Sequence, residues 1–525
     1  MFRIFLCCLF LFVPIGASAQ TVAASDAELR QGQKMYLDGD LAGALSHYRQ
    51  VALSRPNDPN VLFLIAQALG DQGLLPEAEV TYLKAIPLYQ QLQTRPGSGV
   101  TYQPNIAMTL NNLAAIYSRE KRFDEASKAI EQALTVWPSA KSTPATLFVT
   151  RGIVLEGQQK TAQAQEAYRA ALSRAPQNPD ALLNLGVLLA NQGVKEEAIK
   201  LLRQGVSVSP NDPEMFAALG NSLLKAGMWD DGVAALRKSD ALQPDAPSVL
   251  FNLSSALQHQ GQLAEALVII QKAHALAPGD ASISASLGEL LVQTRHAQEA
   301  TVLLQGTLES HQGDLEISLS LAKALESQGK PADAIFLTQK VLSTRPDYPE
   351  GIALLTSLLI ETGKTAEAMN TVRPALASHP TSAELLNAYG LVLLAQEKSS
   401  DAATQFQQAL VLNPAIEDAK VNHANALNQG SKSSDAVPEF RTVLLTNPRN
   451  VKAQAGLAKA LFDLHQYADA AAAFKRAVDL APDDPNLYTN MGIALDKLGR
   501  VDEAKRAYAE AQRLRSSKKI AKTEP

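Results

Sequence analysis

Cysteine is almost absent from the chain. Of 525 residues only Cys7 and Cys8 are cysteines, and both lie in an N-terminal stretch with the pattern of a secretory signal. Arg3 gives a short positive start, Ile4 to Val13 an apolar core too short to span a bilayer, and Ala17-Ser18-Ala19 a small-residue cleavage site. Residues 1–19 are therefore expected to be a signal peptide cut after Ala19. No cysteine stands at the cut to carry a lipid. The mature chain would then have no disulfide, thiolate nucleophile or cysteine metal site. No later stretch is apolar and long enough to cross a membrane, so a periplasmic or secreted bacterial protein is expected.

Basic character is lacking too. The formal net charge is −5 and falls to −6 without Arg3, with a pI near 6.0; this is not the footprint of a nucleic-acid binder. Aromatics make up 5%. No HExxH, GxSxG, P-loop, GxGxxG or paired-carboxylate context occurs. The eight histidines, His47, His259, His274, His296, His311, His379, His423 and His465, are dispersed, with no pair three or four residues apart. His423 falls where an apolar residue is due and reads as a satisfied core histidine. No catalytic, metal or cofactor site is expected.

What is present is a period. Pro176, Pro210, Pro244, Pro278, Pro346, Pro380, Pro414, Pro448 and Pro482 recur in one phase of 34 residues, with Gln312 alone out of the series. A period of that length signals a repeat architecture. Within Pro179 to Asp212, Leu182, Leu185, Gly186 and Leu189 form one apolar helix face. Gly193 breaks the chain, and Ala198, Leu202 and Gly205 form a second face before Pro210. Neither short helix can bury its face alone, so the units must stack.

Numbered from Pro179, the eighth position of each unit is small in nearly every copy. The twentieth reads Ala44, Ala78, Ala126, Ala164, Ala198, Gly232, Ala266, Ala300, Ala334, Ala368, Ala402, Ala436, Ala470 and Ala504. This pattern resembles the tetratricopeptide repeat, in its exported bacterial type, over fourteen units in residues 25–518. The resemblance implies an all-α, right-handed superhelical solenoid of helix-turn-helix units that binds proteins or peptides, with no enzymatic activity.

The units divide as 25–92 for repeats one and two, an inserted loop at 93–106 carrying Pro96-Gly97-Ser98-Gly99, repeats three to fourteen at 107–518 with a spacer at 141–144, and a polar tail at 519–525. Residues 59–140, with Thr109 to Ala114, locally resemble the longer repeats of kinesin light chains. Pro374 and Pro438 fall inside expected second helices, where proline kinks a helix. Repeats eight to twelve are expected to bend differently on that account.

In the family, positions 2, 5, 6, 9, 12 and 13 of the first helix line a concave groove. Carried over, position 6 supplies Asn112, Asn184, Asn252, Asn422 and Asn490, resembling an asparagine ladder that holds a peptide backbone. An amide both donates and accepts, so it pairs with main chain of any sequence. Asn425, Asn428 and Gln429 add polar groups in repeat twelve; Leu354, Ile360, Leu391 and Leu394 add apolar ones in repeats ten and eleven. Such a mixed groove suits an extended peptide or a partner helix. Position 5 is never lysine, so the carboxylate clamp of chaperone-binding relatives is not expected. The resulting expectation is a non-catalytic envelope scaffold, in pilus or exopolysaccharide assembly or export, with a periplasmic holdase and a regulatory subunit of an envelope glycosyltransferase as alternatives.

Overall fold

The computed structural model describes residues 19–95 and 101–521. The signal-peptide expectation for residues 1–19 thus lies, but for Ala19, outside the described residues. So do the centre of the inserted loop and the last four residues of the tail. Among the described residues the secondary structure is twenty-eight α-helices and one short 3-10 turn, Ala140–Ser142. The helices alternate, with first helices such as Pro179–Asn191 and Pro349–Glu361 and second helices such as Lys195–Val208 and Thr365–Ser378.

Local chemistry sets the ends of these helices. Asp58, Asn178, Asp212, Asp280, Asp314, Asn450 and Asp484 each stand before a first helix, and their side chains accept hydrogen bonds from its first free N–H groups. Proline often follows at N1, where its missing donor is not needed. The two helices of a repeat meet at a residue in the left-handed region at position 15. Glycine fills eight of these slots, as at Gly193 and Gly363, while Lys121, Gln159, Arg295, Glu397, Ser431 and His465 fill the rest. At Gly193 the turn is closed by Val194 N–H donating to Leu189 O at 2.9 Å.

Packing follows from the small residues. All thirteen alanines at position 20 have no exposed surface, which makes the helix crossing close. Opposite, position 8 receives the side chain from position 24 of the same repeat. A Cβ added to Gly186 would lie 2.6 Å from Leu202, and one on Gly390 would lie 2.6 Å from Phe406. These glycines are sockets for large side chains.

The chain forms two compact bodies, residues 1–228 and 229–525, divided between the two helices of repeat six. Within each body a first helix packs on the second helix of its own repeat and on that of the repeat before. Over most repeats it also packs on the first helix of the next, as Pro349–Glu361 does on Ala383–Ala395. Where they touch, the first helices form an inner layer, and their outward-facing positions form its surface.

The inserted loop is shorter than expected. The second helix of repeat two runs over Leu75–Gln93 through Pro87, and the next helix starts at Gln103, so Gln103 to Ile106 are helical. Pro104 marks the first turn of that helix, where proline is tolerated, and not the end of a loop. The tail is also less of a tail, because the last helix continues from Val501 to Ala521. The helices Thr365–Ser378 and Ser433–Thr446 run unbroken through Pro374 and Pro438.

Candidate functional site

The candidate site lies on the inner layer of the C-terminal body over repeats ten to thirteen. Its first helices are Pro349–Glu361, Ala383–Ala395, Glu417–Gln429 and Val451–Asp463, each touching the next. Leu354, Ile360, Leu391 and Leu394 are all half-buried. Ile360 rests on the core around Leu355, Leu359 and Val392, whereas Leu391 and Leu394 rest on that around Leu393, Phe406 and Ala426. Part of each of these three side chains is thus already used in packing, and part faces outward.

Beside them lies a group of amides. Asn422 Nδ2 donates to Asn387 Oδ1 at 3.0 Å, joining repeats twelve and eleven. Asn428 Nδ2 donates to Asp463 Oδ2 at 2.9 Å, joining repeats twelve and thirteen, while its own buried oxygen accepts no hydrogen bond. Asn425 is half-buried, with its Oδ1 3.1 Å from where a Cβ on Gly456 would stand. His423 is half-buried and pairs with Glu439, Nδ1 to Oε2 at 2.8 Å, within its own repeat.

The other asparagines are not gathered there. Asn112 is buried in the N-terminal body, donating to the Tyr82 hydroxyl at 3.0 Å and accepting from Asn111 at 3.3 Å. Its amide lines a small cleft with Gln67, Asp71 and Arg119 that has room for about one water molecule, ~20 Å³. Asn184 and Asn252 are half-buried and Asn490 is exposed. No two neighbouring repeats carry asparagine at position 6, so these residues do not form an unbroken ladder.

Sequence reasoning missed a different ladder. A residue at position 12 recurrently bonds position 13 of the following repeat: Tyr36 hydroxyl to Asp71, Gln258 to Gln293 at 3.0 Å, and Asn428 to Asp463. Glu326 and Glu361 occupy the same two positions and share a hydrogen bond; burial, then the charge of Glu361, raises Glu326 to about 7. Asp71 is likewise raised, chiefly by burial. The signal was available as complementary residues 35 positions apart in the groove-lining phase. Among the described residues no group of three His, Cys, Asp or Glu is disposed to hold a metal ion, and no helix is long and apolar enough to cross a membrane.

Paired short helices, small residues at their crossings and an inner layer of first helices define an all-α helical-repeat protein. Models of the tetratricopeptide repeat match residues 36–92, 105–177, 155–221, 217–281, 257–324, 325–392, 421–485 and 461–515. The chain belongs to the tetratricopeptide-repeat family, whose architecture serves protein–protein interaction.

Among curated proteins it is similar to human Protein O-mannosyl-transferase TMTC1, 27% identical over 154 residues, 29% of this chain and 16% of that one. It is also similar to human Protein O-mannosyl-transferase TMTC3, 27% identical over 171 residues, 32% of this chain and 18% of that one. The matched stretch thus spans less than a fifth of those relatives. A chain in the crystal structure of the APC/C hetero-tetramer Cut9-Hcn1 aligns over 94% of this chain and 95% of its own, at 14% identity and a TM-score of 0.48.

Proposed function

We propose that this chain is a non-catalytic interaction scaffold of the bacterial cell envelope. Its inner face over repeats ten to thirteen holds an extended peptide or a partner helix, within an assembly or export apparatus such as a pilus or exopolysaccharide system. The observation that supports this is the juxtaposition of half-buried Leu354, Ile360, Leu391 and Leu394 with Asn387, Asn422 and Asn425 on consecutive, touching helices. Apolar side chains supply area for a partner's anchors and amides supply main-chain pairing, the combination that peptide grooves use. The envelope assignment rests on the signal pattern of residues 1–19, and N-terminal sequencing of the chain from cell fractions tests it: an unprocessed cytoplasmic chain would refute export.

The partner is tested by crosslinking in the native envelope, followed by purification and mass spectrometry. One dominant partner that is lost on Leu391→Ala with Asn422→Ala, at unchanged helical content, supports the scaffold. A broad population of unrelated proteins, unaffected by those changes, overturns it.

A second reading is favoured by the similarity to O-mannosyl-transferases. In it the same face docks an envelope glycosyltransferase as a regulatory subunit. A change in that enzyme's turnover on adding the purified chain distinguishes this from a passive scaffold.

A further inference from the structure

In the C-terminal body two stretches far apart in sequence meet edge to edge. Arg295, in the turn between the helices of repeat eight, places Nη1 2.6 Å from Asp483 Oδ1 and donates from Nη2 to Leu480 O at 3.0 Å, 188 and 185 residues later. Leu480 ends the second helix of repeat thirteen, and Asp483 lies just beyond it. One repeat earlier the same register recurs. A Cβ built on Gly261, in the turn of repeat seven, would stand 3.8 Å from Oδ1 of Asn447, just after the second helix of repeat twelve. Two turns thus face two repeat ends, each five repeats on. Electrostatics follow the same line: the charges of Glu417 and Lys420 in repeat twelve reach His259, and that of Lys452 in repeat thirteen reaches Glu326.

Arg295 is suited to bind here and costly to place here. Its guanidinium meets the negative end of a helix, a free terminal carbonyl and a carboxylate together, three attractions of one sign. Yet it occupies the turn position that glycine fills in most repeats, with φ +69, a conformation unfavourable for any residue with a Cβ.

We propose that this seam is a latch: Arg295 clamps the turn edge of repeats seven and eight against the ends of repeats twelve and thirteen, closing the C-terminal body on itself. Both partners of the ion pair are about half exposed or more, Arg295 by 49% and Asp483 by 66%, so salt screens it. The latch opens at high ionic strength. If the inner face of repeats ten to thirteen holds a partner, as proposed above, a shut seam limits sideways entry to that face and favours an extended segment. The latch itself does not depend on that reading.

The experiment keeps the full chain, with Cys7 and Cys8 replaced by serine, and places the reporter one repeat away from Arg295. In Gly261→Cys with Asn447→Cys, mild oxidation at low salt should give an intramolecular disulfide in the monomer. Adding Arg295→Gly should slow its formation about tenfold, as should 1 M salt in the parent, because a bridge needs Cα atoms within about 7 Å. Arg295→Gly relieves a strained turn, so it should fold at least as well as the parent, and circular dichroism checks this. Small-angle scattering should show a larger radius of gyration for Arg295→Gly at low salt, with the parent approaching it at 1 M. A folded double-cysteine chain that forms no bridge overturns the seam. An unchanged bridging rate or scattering profile on Arg295→Gly overturns the latch. Partner capture is read separately, so its failure leaves these outcomes intact.

Discussion

Ala300 has no exposed surface at the crossing of the two helices of repeat eight, where Gly288 receives Leu304. Ala300→Leu adds volume with nowhere to go and should cost about 1–3 kcal/mol by overpacking. Val302, two residues on and 62% exposed, provides the control: Val302→Leu should leave the denaturation midpoint unmoved. The role of Ala300 was legible in the sequence because one steric demand is repeated in every unit and leaves a small residue each time, alanine in thirteen repeats and Gly232 in one. The asparagines were not legible in that way. Whether Asn112 faces a ligand or a neighbour depends on where the Tyr82 hydroxyl lies, and no period encodes that.

Glu326 gives a second prediction at this scale, with its sign fixed by the raised value of about 7. A carboxyl raised in the folded state binds its proton more tightly there than in the unfolded chain. Its penalty is therefore absent below the unfolded value near 4.3 and complete above about 7. Glu326→Gln should raise the melting temperature at pH 8, an effect of about 1–2 kcal/mol for a group in partial solvent contact. The gain should shrink steadily as pH falls to 5. A gain that is constant with pH would refute the shared-proton arrangement with Glu361.

At the scale of the element, the turn between paired helices is the repeated device. Gly363 has φ +77 with nothing within 4 Å of an added Cβ. Gly363→Ala thus tests backbone conformation without a steric contribution and should cost about 1 kcal/mol in chemical denaturation. Gly279→Ala, also in open space but at ordinary φ, should cost no such strain. Sequence reading found this turn where glycine marks it. It could not find it at Lys121, Glu397 or Ser431, where helices anchored on both sides hold a residue of the wrong type in the same conformation. The inserted loop was misjudged for a related reason. Pro104 punctuates a chain equally well as loop or as first helical turn, and packing of the following helix decided for the latter.

At the scale of the whole molecule, a stacked array passes stress mainly to neighbours, so a local defect should fade along the chain within a repeat or two. The seam adds one exception. Repeat eight touches repeats seven and nine by stacking and the end of repeat thirteen through Arg295, whereas repeat eleven is reached by neither route. No residue pattern announces this, because the contact arises from small rotations accumulated over five repeats. In Ala300→Leu, amide hydrogen exchange read by mass spectrometry should therefore rise in repeats seven to nine and again in the segment around Leu480 to Asp484, with repeat eleven near its parent rate. Removing the latch in the same background with Arg295→Gly should abolish the response at Leu480 to Asp484 and keep the one in repeats seven to nine. A smooth decay with distance along the chain would mean that stacking alone carries the strain; a uniform rise would mean that the C-terminal body opens as one cooperative unit.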